Sequence, residues 1–223
     1  KLLNAGHKVA ICEQVEDPKK SKGIVKREVV EVLSPGTAIS EKYLNHNQNN
    51  YLGSIFIKGK MMGIVLIDYS TGDFFGGEWE INKGLDLIKT YNVREIIISE
   101  KQYELFEDLL NKDSYMISTY QDWIADYETS ADKIKDQFKI KSLKGFGLEN
   151  HFLTVISAGA SLYYLDDNHK DSSNHIQHFQ YHGQEDSMHL DPFTIANLEL
   201  FKSTSSGNKK ATLISVIDKT KTS

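Results

Sequence analysis

Three carboxylates, Asp68, Asp86 and Glu100, lie at or between short apolar runs, where a metal-dependent nuclease would hold its ligands. Converging carboxylates bind the two divalent cations of such enzymes. A nuclease of this kind also projects an acidic side chain from the first strand of its sheet, but Ser54 is the one polar side chain that residues 52–57 offer. We therefore predict that Asp68 caps a turn, and a metal-dependent nuclease remains the alternative function.

Five histidines within a short polar stretch could also bind a metal: His169, His175, His178, His182 and His189. Structural zinc sites need four ligands that converge on a defined scaffold, and no cysteine accompanies these histidines. Gln, Asn, Ser and Asp surround them instead. The stretch is therefore predicted to be a solvated linker, and no metal site is assigned.

Basic residues near the start of the chain are better candidates for a binding role. Lys19, Lys20, Lys22, Lys26 and Arg27 could place ammonium and guanidinium groups along the phosphate backbone of a nucleic acid. A solvated surface loop would have the same composition. Both interpretations stay open on these residues alone.

The single cysteine, Cys12, excludes an internal disulfide and fits a reducing compartment, so a cytoplasmic location is expected. Because Cys12 lies in an apolar run, it is predicted to be a small buried residue. No apolar run reaches the roughly 18 to 20 residues that a bilayer span needs, so no membrane segment is predicted. Lys1 opens the sequence without a signal segment, and we expect a chain that is truncated at both ends.

Charge divides the sequence into three parts. Residues 1–40 carry seven Lys/Arg against five Asp/Glu, residues 41–187 carry 14 against 23, and residues 188–223 carry five against three. A middle part with a net charge of −9 repels a polyanion unless positive charge is clustered locally. We therefore expect the middle part to contact protein and any DNA contact to lie in the flanks.

The elements that must position these residues form an α/β pattern. Short β-rich runs separated by turns cover residues 52–57, 62–68 and 74–79, which predicts a three-stranded antiparallel meander. The order βββαβαβα is expected over the whole middle part. A continuous apolar strand at residues 94–99 between two helices indicates a mixed sheet with helices on both faces, as in ribonuclease H-like domains.

Two helices in the second half of the chain have distinct characters. A charged helix is predicted over residues 130–138, with Thr129 or Ser130 as its N-cap. Residues 152–165 predict an apolar helix whose small residues, 157–161, allow a close neighbour. Glycine inside a helix costs about 1 kcal/mol relative to alanine, and tight packing would compensate for it.

Short motifs occur in an ordered series along the chain. They are GHKVAICEQ at 6–14, EDP at 16–18, KG at 22–23, VV at 29–30, PGT at 35–37, DYSTG at 68–72, GFG at 145–147, LD at 190–191, NLEL at 197–200 and SVIDKT at 215–220. This series resembles the MutS family of DNA mismatch-repair proteins. The resemblance covers essentially the whole chain.

The resemblance implies five segments. Residues 1–37 would be the C-terminal remnant of the mismatch-recognition domain, 38–45 a linker, 46–168 a connector domain, 169–187 a second linker and 188–223 the start of the helical core and lever domain. The expected fold is a ribonuclease H-like connector flanked by partial segments of an α/β domain and an α-helical domain.

The resemblance also implies that the fragment is noncatalytic. In the family, the residues that probe the mispaired base precede Lys1 and the ATPase follows Ser223, so ATP and magnesium would bind elsewhere in the parent protein. The phosphate-loop pattern G-x-x-x-x-G-K-[ST] is absent from the sequence. No catalytic, metal or cofactor residue is assigned, and the parent is expected to be a homodimer that binds mismatched duplex DNA.

Binding residues follow from the same resemblance. Arg27 occupies the position of a recurring arginine just before the last strand of the mismatch domain, which favours a DNA-backbone contact shared with Lys22 and Lys26. For the connector, the resemblance implies docking of a MutL-type partner.

Part of that docking contact is placed on the charged helix. Ile134 and Phe138 form a stripe that should face the core. The residues predicted to face outward and to bind the partner are Asp132, Lys133, Asp136 and Gln137. A solvated helix face is the alternative.

Overall fold

The computed structural model describes residues 2–3, 7–16, 25–37, 49–107, 109, 115–169, 173–183, 190, 192–203 and 212–218. Within these residues the strands are β1 (Val9–Gln14), β2 (Arg27–Leu33), β3 (Leu52–Lys58), β4 (Met61–Asp68), β5 (Asp73–Glu80), β6 (Glu95–Ser99), β7 (Met116–Tyr120) and β8 (Gln180–Tyr181). The α-helices are α1 (Ile81–Thr90), α2 (Tyr103–Glu107), α3 (Tyr127–Phe138), α4 (Phe152–Asn168), α5 (Pro192–Asn197) and α6 (Leu213–Ile217).

A six-stranded mixed sheet with the strand order β7-β6-β3-β4-β5-β8 forms the centre of the molecule. β3, β4 and β5 are antiparallel neighbours, so the predicted meander is confirmed. β6 and β7 run parallel to β3, and β8 runs parallel to β5. Gly59 and Gly72 make the meander turns with positive φ values of 63° and 81°, which glycine adopts without steric cost. The predicted order βββαβαβα is confirmed from β3 to α3.

Helices cover both faces of this sheet, as the continuous apolar strand predicts. Side chains alternate between the faces along each strand. On β4, Val65 and Ile67 join the core beneath α3 and α4, whereas Ile64 and Leu66 join the core beneath α1 and α2. None of the helices in the described ranges has the length and apolar character of a membrane-spanning segment.

Helix α3 begins earlier than its sequence pattern predicts. Its N-cap is Asp126, whose Oδ2 accepts a hydrogen bond of 3.0 Å from the Thr129 backbone N–H. The expectation of Thr129 or Ser130 as N-cap is therefore wrong. Ser130 is instead buried, and its hydroxyl donates to the Ile124 carbonyl at 2.8 Å.

Helix α4 packs closely against both α3 and β4, as its small residues predict. A Cβ added to Gly159 would lie 2.4 Å from the Ser130 Cβ. On the sheet side, the Ser157 hydroxyl donates to the Gly63 carbonyl at 3.1 Å, and a Cβ on Gly63 would lie 2.4 Å from the Leu153 backbone. Gly159 and Gly63 therefore allow α4 to approach α3 and β4 more closely than any larger residue at these two positions would.

Strands β1 and β2 form a separate antiparallel hairpin. Cys12 lies on its exposed side, so the prediction that it is buried is wrong. The physical reason is that a two-stranded hairpin has no layer of its own to cover both faces.

The stretch predicted as a solvated linker contains packed residues. Ile176 and Phe179 are 1% and 2% exposed, and β8 adds to the central sheet beside β5. The prediction of a solvated stretch is therefore wrong for Ser173, Ile176 and Phe179, of which the two apolar side chains complete the core beneath α3 and α4, whereas His175 and His178 are exposed as expected.

Candidate interdomain junction and binding surfaces

A buried carboxylate joins the turn after the hairpin, residues 34–37, to strand β6 of the sheet. Glu95 opens β6 and is 0% exposed. Its Oε1 accepts hydrogen bonds from the Ser118 hydroxyl at 3.0 Å and the Tyr164 hydroxyl at 2.5 Å. Its Oε2 accepts a bond of 3.0 Å from the Gly36 N–H. One side chain therefore connects β6, β7, α4 and the turn.

The turn itself is held in a compact shape. Ser34 and Thr37 are both 0% exposed, and the Ser34 N–H donates to the Thr37 Oγ1 at 3.2 Å. The Asn50 side chain donates to the Pro35 carbonyl at 2.8 Å. A Cβ on Gly36 would lie 2.8 Å from the Glu95 Cβ, so glycine is required for this close approach.

The charge of Glu95 is partly balanced by Lys8. The Lys8 ammonium lies 4.8 Å from the centroid of the Tyr164 ring. Desolvation lowers the pKa of Lys8, and the Glu95 carboxylate opposes that shift. Burial, together with the negative charge of Glu95, raises the pKa of Tyr164, so the phenol remains a hydrogen-bond donor.

A second contact holds the hairpin. The Nδ1 of His169 lies 3.1 Å from the Glu31 Oε1, and His169 is 4% exposed at the end of α4. Its ring stacks on Tyr69 with centroids 4.4 Å apart. The His175 Nε2 lies 2.6 Å from the Tyr69 carbonyl oxygen. The hairpin segment is therefore held by two polar contacts, one from Gly36 to Glu95 on β6 and one from Glu31 to His169 at the end of α4.

We expect the free energy of unfolding to fall as pH rises above about 10, the ordinary pKa of tyrosine. Because the pKa of Tyr164 is raised in the folded state, folding favours its neutral form. That stabilisation is complete below the unfolded pKa and is lost as pH rises towards the folded one. Urea unfolding across alkaline pH should show a smaller decline for Tyr164→Phe. An identical decline in both proteins would contradict the prediction.

The three carboxylates considered for a nuclease do not form a metal site. Asp68 is 1% exposed and accepts from the Ser70 hydroxyl at 2.6 Å and the Asn50 N–H at 2.9 Å, so the predicted turn cap is confirmed. Asp86 lies on α1 beside Lys89. Among the described residues, no group of three or more His, Cys, Asp or Glu side chains is placed to bind a metal ion. The nuclease alternative is not supported.

The four residues predicted to face outward from α3 separate into two pairs. Asp132 and Asp136 are exposed, as expected. Lys133 is only 18% exposed, because it pairs with Asp166 and lies over the Tyr163 ring.

Gln137 is also turned towards the protein. Its Nε2 donates to the carbonyls of Ser173 and Ile176 at 2.8 and 3.2 Å. The outward orientation is therefore wrong for Lys133 and Gln137, which attach α3 to α4 and to residues 173–176.

The structure describes two of the three basic residues predicted to contact the DNA backbone. Arg27 begins β2 opposite Gln14 and is exposed. Lys26 is exposed as well, but its ammonium lies 2.6 Å from the Glu28 carboxylate. Lys22 lies outside the described residues. Among the described residues, Lys26 forms an ion pair with Glu28, whereas Arg27 is exposed and forms no ion pair with a carboxylate.

Sequence reasoning missed Glu95. The strand sequence Glu-Ile-Ile-Ile-Ser places a carboxylate at the start of an apolar run that was itself predicted to be covered on both faces. A charged residue in such a strand requires buried partners. The sequence therefore indicates that Glu95 has buried polar partners, although it does not indicate which residues they are.

Two family models match the chain. The family model described as MutS domain II matches residues 50–179, and the model described as MutS domain I matches residues 1–42. The DNA mismatch repair protein MutS of Lachnoclostridium phytofermentans is 41% identical over 100% of this chain, and that of Protochlamydia amoebophila is 37% identical over 100% of it. The MutS of Parabacteroides distasonis is 36% identical over 99% of the chain.

The chain belongs to the MutS family of DNA mismatch-repair proteins. It spans 24%, 26% and 25% of the lengths of these three relatives, respectively.

Proposed function

We propose that this chain is a noncatalytic part of a mismatch-repair ATPase, composed of the end of a mismatch-recognition domain (residues 1–37), the connector domain (46–168) and the start of a helical core and lever domain (188–223). The parallel strands β6 and β7 beside an antiparallel meander support a ribonuclease H-like fold for the connector. In this proposal the parent is a cytoplasmic homodimer that binds mismatched DNA, and its ATP and magnesium bind outside this chain.

The connector transmits the state of the mismatch-recognition domain to the rest of the protein. The observation that carries this role is the buried bond between Glu95 and Gly36, which links the turn after the hairpin to strand β6 of the sheet. A displacement of the hairpin must either move the sheet with it or break this bond. The junction therefore couples the two domains mechanically.

A MutL-type partner docks on the exposed part of α3 in this proposal. Asp132 and Asp136 present carboxylates there, and the middle of the chain has a net charge of −9 over residues 41–187, with 14 Lys/Arg against 23 Asp/Glu. Lys133 and Gln137 support the docking surface indirectly, because they hold α3 on its neighbours.

Charge reversal of both exposed carboxylates should weaken partner binding. We expect Asp132→Lys with Asp136→Lys, in the full-length parent, to lower affinity for the MutL-type protein at least about tenfold, because like charges replace complementary ones. Surface-plasmon resonance measures the change, and Glu149→Lys on an exposed turn is the matched control. Unchanged binding would remove α3 from the interface. Lys133→Glu is a poor test, since it also places a negative charge against Asp166. Asp136→Lys alone is the second arm, because Asp132 forms an ion pair of 2.9 Å with Lys135, which Asp132→Lys would replace with a repulsion.

Arg27 contacts the DNA backbone in this proposal, in the neighbourhood of Lys22 and Lys26. We expect Arg27→Ala in the full-length parent to weaken binding to all DNA sequences similarly and to reduce the slope of log affinity against log salt by about one. Titrations at several salt concentrations measure that slope. Lys83→Ala, on the acidic middle part, is the control. An unchanged affinity and slope would exclude the contact.

A further inference from the structure

An exposed group of lysines lies between helices α3 and α4. Lys139, Lys141 and Lys144 are all exposed, and none of them forms an ion pair with a carboxylate within the described residues. Residues 139–148, which we call the lysine loop, contain no Asp or Glu. Because residues 41–187 carry 14 Lys/Arg against 23 Asp/Glu, the lysine loop is a local positive patch in an acidic part of the chain.

The core holds the backbone of the lysine loop in place. Leu143 and Leu148 are 5% and 0% exposed and belong to the core beneath α3 and α4. The Phe146 ring packs on Phe138, the last residue of α3, with centroids 4.9 Å apart. Lys139 itself caps the end of this helix with a positive φ of 56°. A backbone that is already ordered loses less conformational entropy when its side chains bind a partner.

The lysine loop begins at the end of the central sheet to which the hairpin attaches. Phe138 packs on Phe74, near the start of β5, with ring centroids 6.3 Å apart. The turn at residues 34–37 attaches through Glu95, at the start of β6. Strand pairing places the starts of β5 and β6 at the same end of the sheet. The lysine loop and the hairpin therefore share one end of the sheet.

Helix packing brings the exposed cation of the hairpin towards this end as well. Lys133 of α3 pairs with Asp166 near the end of α4, so the two helices end side by side. His169, directly after α4, contacts Glu31 of β2. Arg27 precedes Glu31 by four residues, which is about 13 Å of extended strand. Arg27 and the lysine loop are therefore both near the C-terminal end of α4.

We propose that the lysine loop binds phosphate groups of duplex DNA. The inference rests on the proposed function, in which the parent binds DNA, and it adds a second backbone contact to that of Arg27. A net charge of −9 over residues 41–187 predicts no such contact by itself, because an acidic surface repels a polyanion unless positive charge is clustered locally. The lysine loop is such a cluster.

The spacing of the three lysines suits a phosphate backbone. Five residues of fully extended chain span at most about 18 Å, and phosphates recur about every 3.4 Å along the axis for each DNA strand. Lysine ammonium groups bind phosphates as point charges, so they need no fixed hydrogen-bond geometry. The three side chains therefore match a short run of phosphates on one strand, and such a contact carries no sequence information.

Removal of the three charges from the full-length parent tests this contact. Each phosphate contact contributes about 0.9 to the slope of log affinity against log salt, so Lys139→Gln with Lys141→Gln and Lys144→Gln should reduce the slope by about 2.7. Equivalently, the drop in affinity between about 50 and about 200 mM salt should become about 40-fold smaller. Fluorescence-anisotropy titrations measure this, and perfectly paired and mismatched duplexes should be affected alike.

Two further variants separate this contact from bulk charge and from folding. Lys58→Gln with Lys60→Gln and Lys83→Gln removes the same charge from exposed positions at the opposite end of the sheet, and it should leave the slope unchanged. Arginine at the three positions of the lysine loop should preserve the slope, because it keeps the charge. The melting temperature of each variant should equal that of the unaltered parent.

The outcomes distinguish this inference from the proposed function on which it rests. An unchanged slope in the glutamine variant of the lysine loop, with a reduced slope in Arg27→Ala, would overturn the inference alone. A parent that bound no DNA would overturn both. An equal loss in the variant at the opposite end of the sheet would overturn the local contact. Loss of MutL-type partner binding with an unchanged DNA slope would assign the lysine loop to a protein contact instead.

Discussion

Replacement of Glu95 by alanine is expected to lower the free energy of unfolding by about 3–5 kcal/mol, because removing one member of a buried charged network leaves its partners unpaired. The Gly36 N–H and the hydroxyls of Ser118 and Tyr164 would all lose their acceptor. Urea denaturation of the whole chain measures the loss. Hydrogen exchange at the Gly36 amide should accelerate as well, since this bond holds the turn on the sheet.

Glu95→Gln distinguishes the roles of charge and shape. Glutamine keeps one oxygen for the Gly36 N–H, and its amide can donate to the two hydroxyls, which accept as readily as they donate. We therefore expect a smaller loss than for alanine and a slowly exchanging Gly36 amide. If alanine were tolerated within about 0.5 kcal/mol, as at an ordinary surface site, the junction would not depend on Glu95.

Gly159→Ala should lower the free energy of unfolding by about 2 kcal/mol, the typical effect of overpacking a core. This destabilisation is opposite in sign to the usual effect, because Gly→Ala in a solvent-exposed helix raises stability by about 1 kcal/mol. Here the new Cβ would lie 2.4 Å from the Ser130 Cβ and 2.5 Å from its Cα, so α3 and α4 must move apart. Thermal and urea denaturation measure the effect.

Gly145→Ala is the matched control for this helix contact. A Cβ at Gly145 meets nothing within 4 Å, and its backbone is not in the left-handed region. Its free energy of unfolding should change by no more than about 0.5 kcal/mol. Stabilisation by Gly159→Ala would show that the two helices are not in contact as described.

Local patterns in the sequence were sufficient to predict the main strands and helices of the middle part of the chain. β-rich runs separated by Gly59 and Gly72 predict the meander, and the small residues of α4 predict its close neighbour. The Asp68 turn cap was also predictable, because its hydrogen bonds to Ser70 span only two residues. Such features depend on neighbours along the chain, which a single sequence displays directly.

Contacts between distant residues were not predictable in this way. Glu95 binds Gly36, 59 residues away, and Tyr164, 69 residues away. Lys133 and Gln137 look like solvent-facing residues by helical periodicity, yet their partners lie 33 to 39 residues further along. Periodicity identifies the face of a helix but not the elements that flank this face.

The position of α4 late in the sequence has a consequence for the order of folding during synthesis. The Gly63 carbonyl accepts its bond from Ser157, 94 residues later, so one face of the meander remains uncovered until Phe152–Asn168 leaves the ribosome. Long-range contacts of this kind slow folding, because the chain loses the entropy of loop closure before the contacts stabilise it. Strands that emerge early must therefore wait, with an apolar surface exposed, for a helix that is made much later.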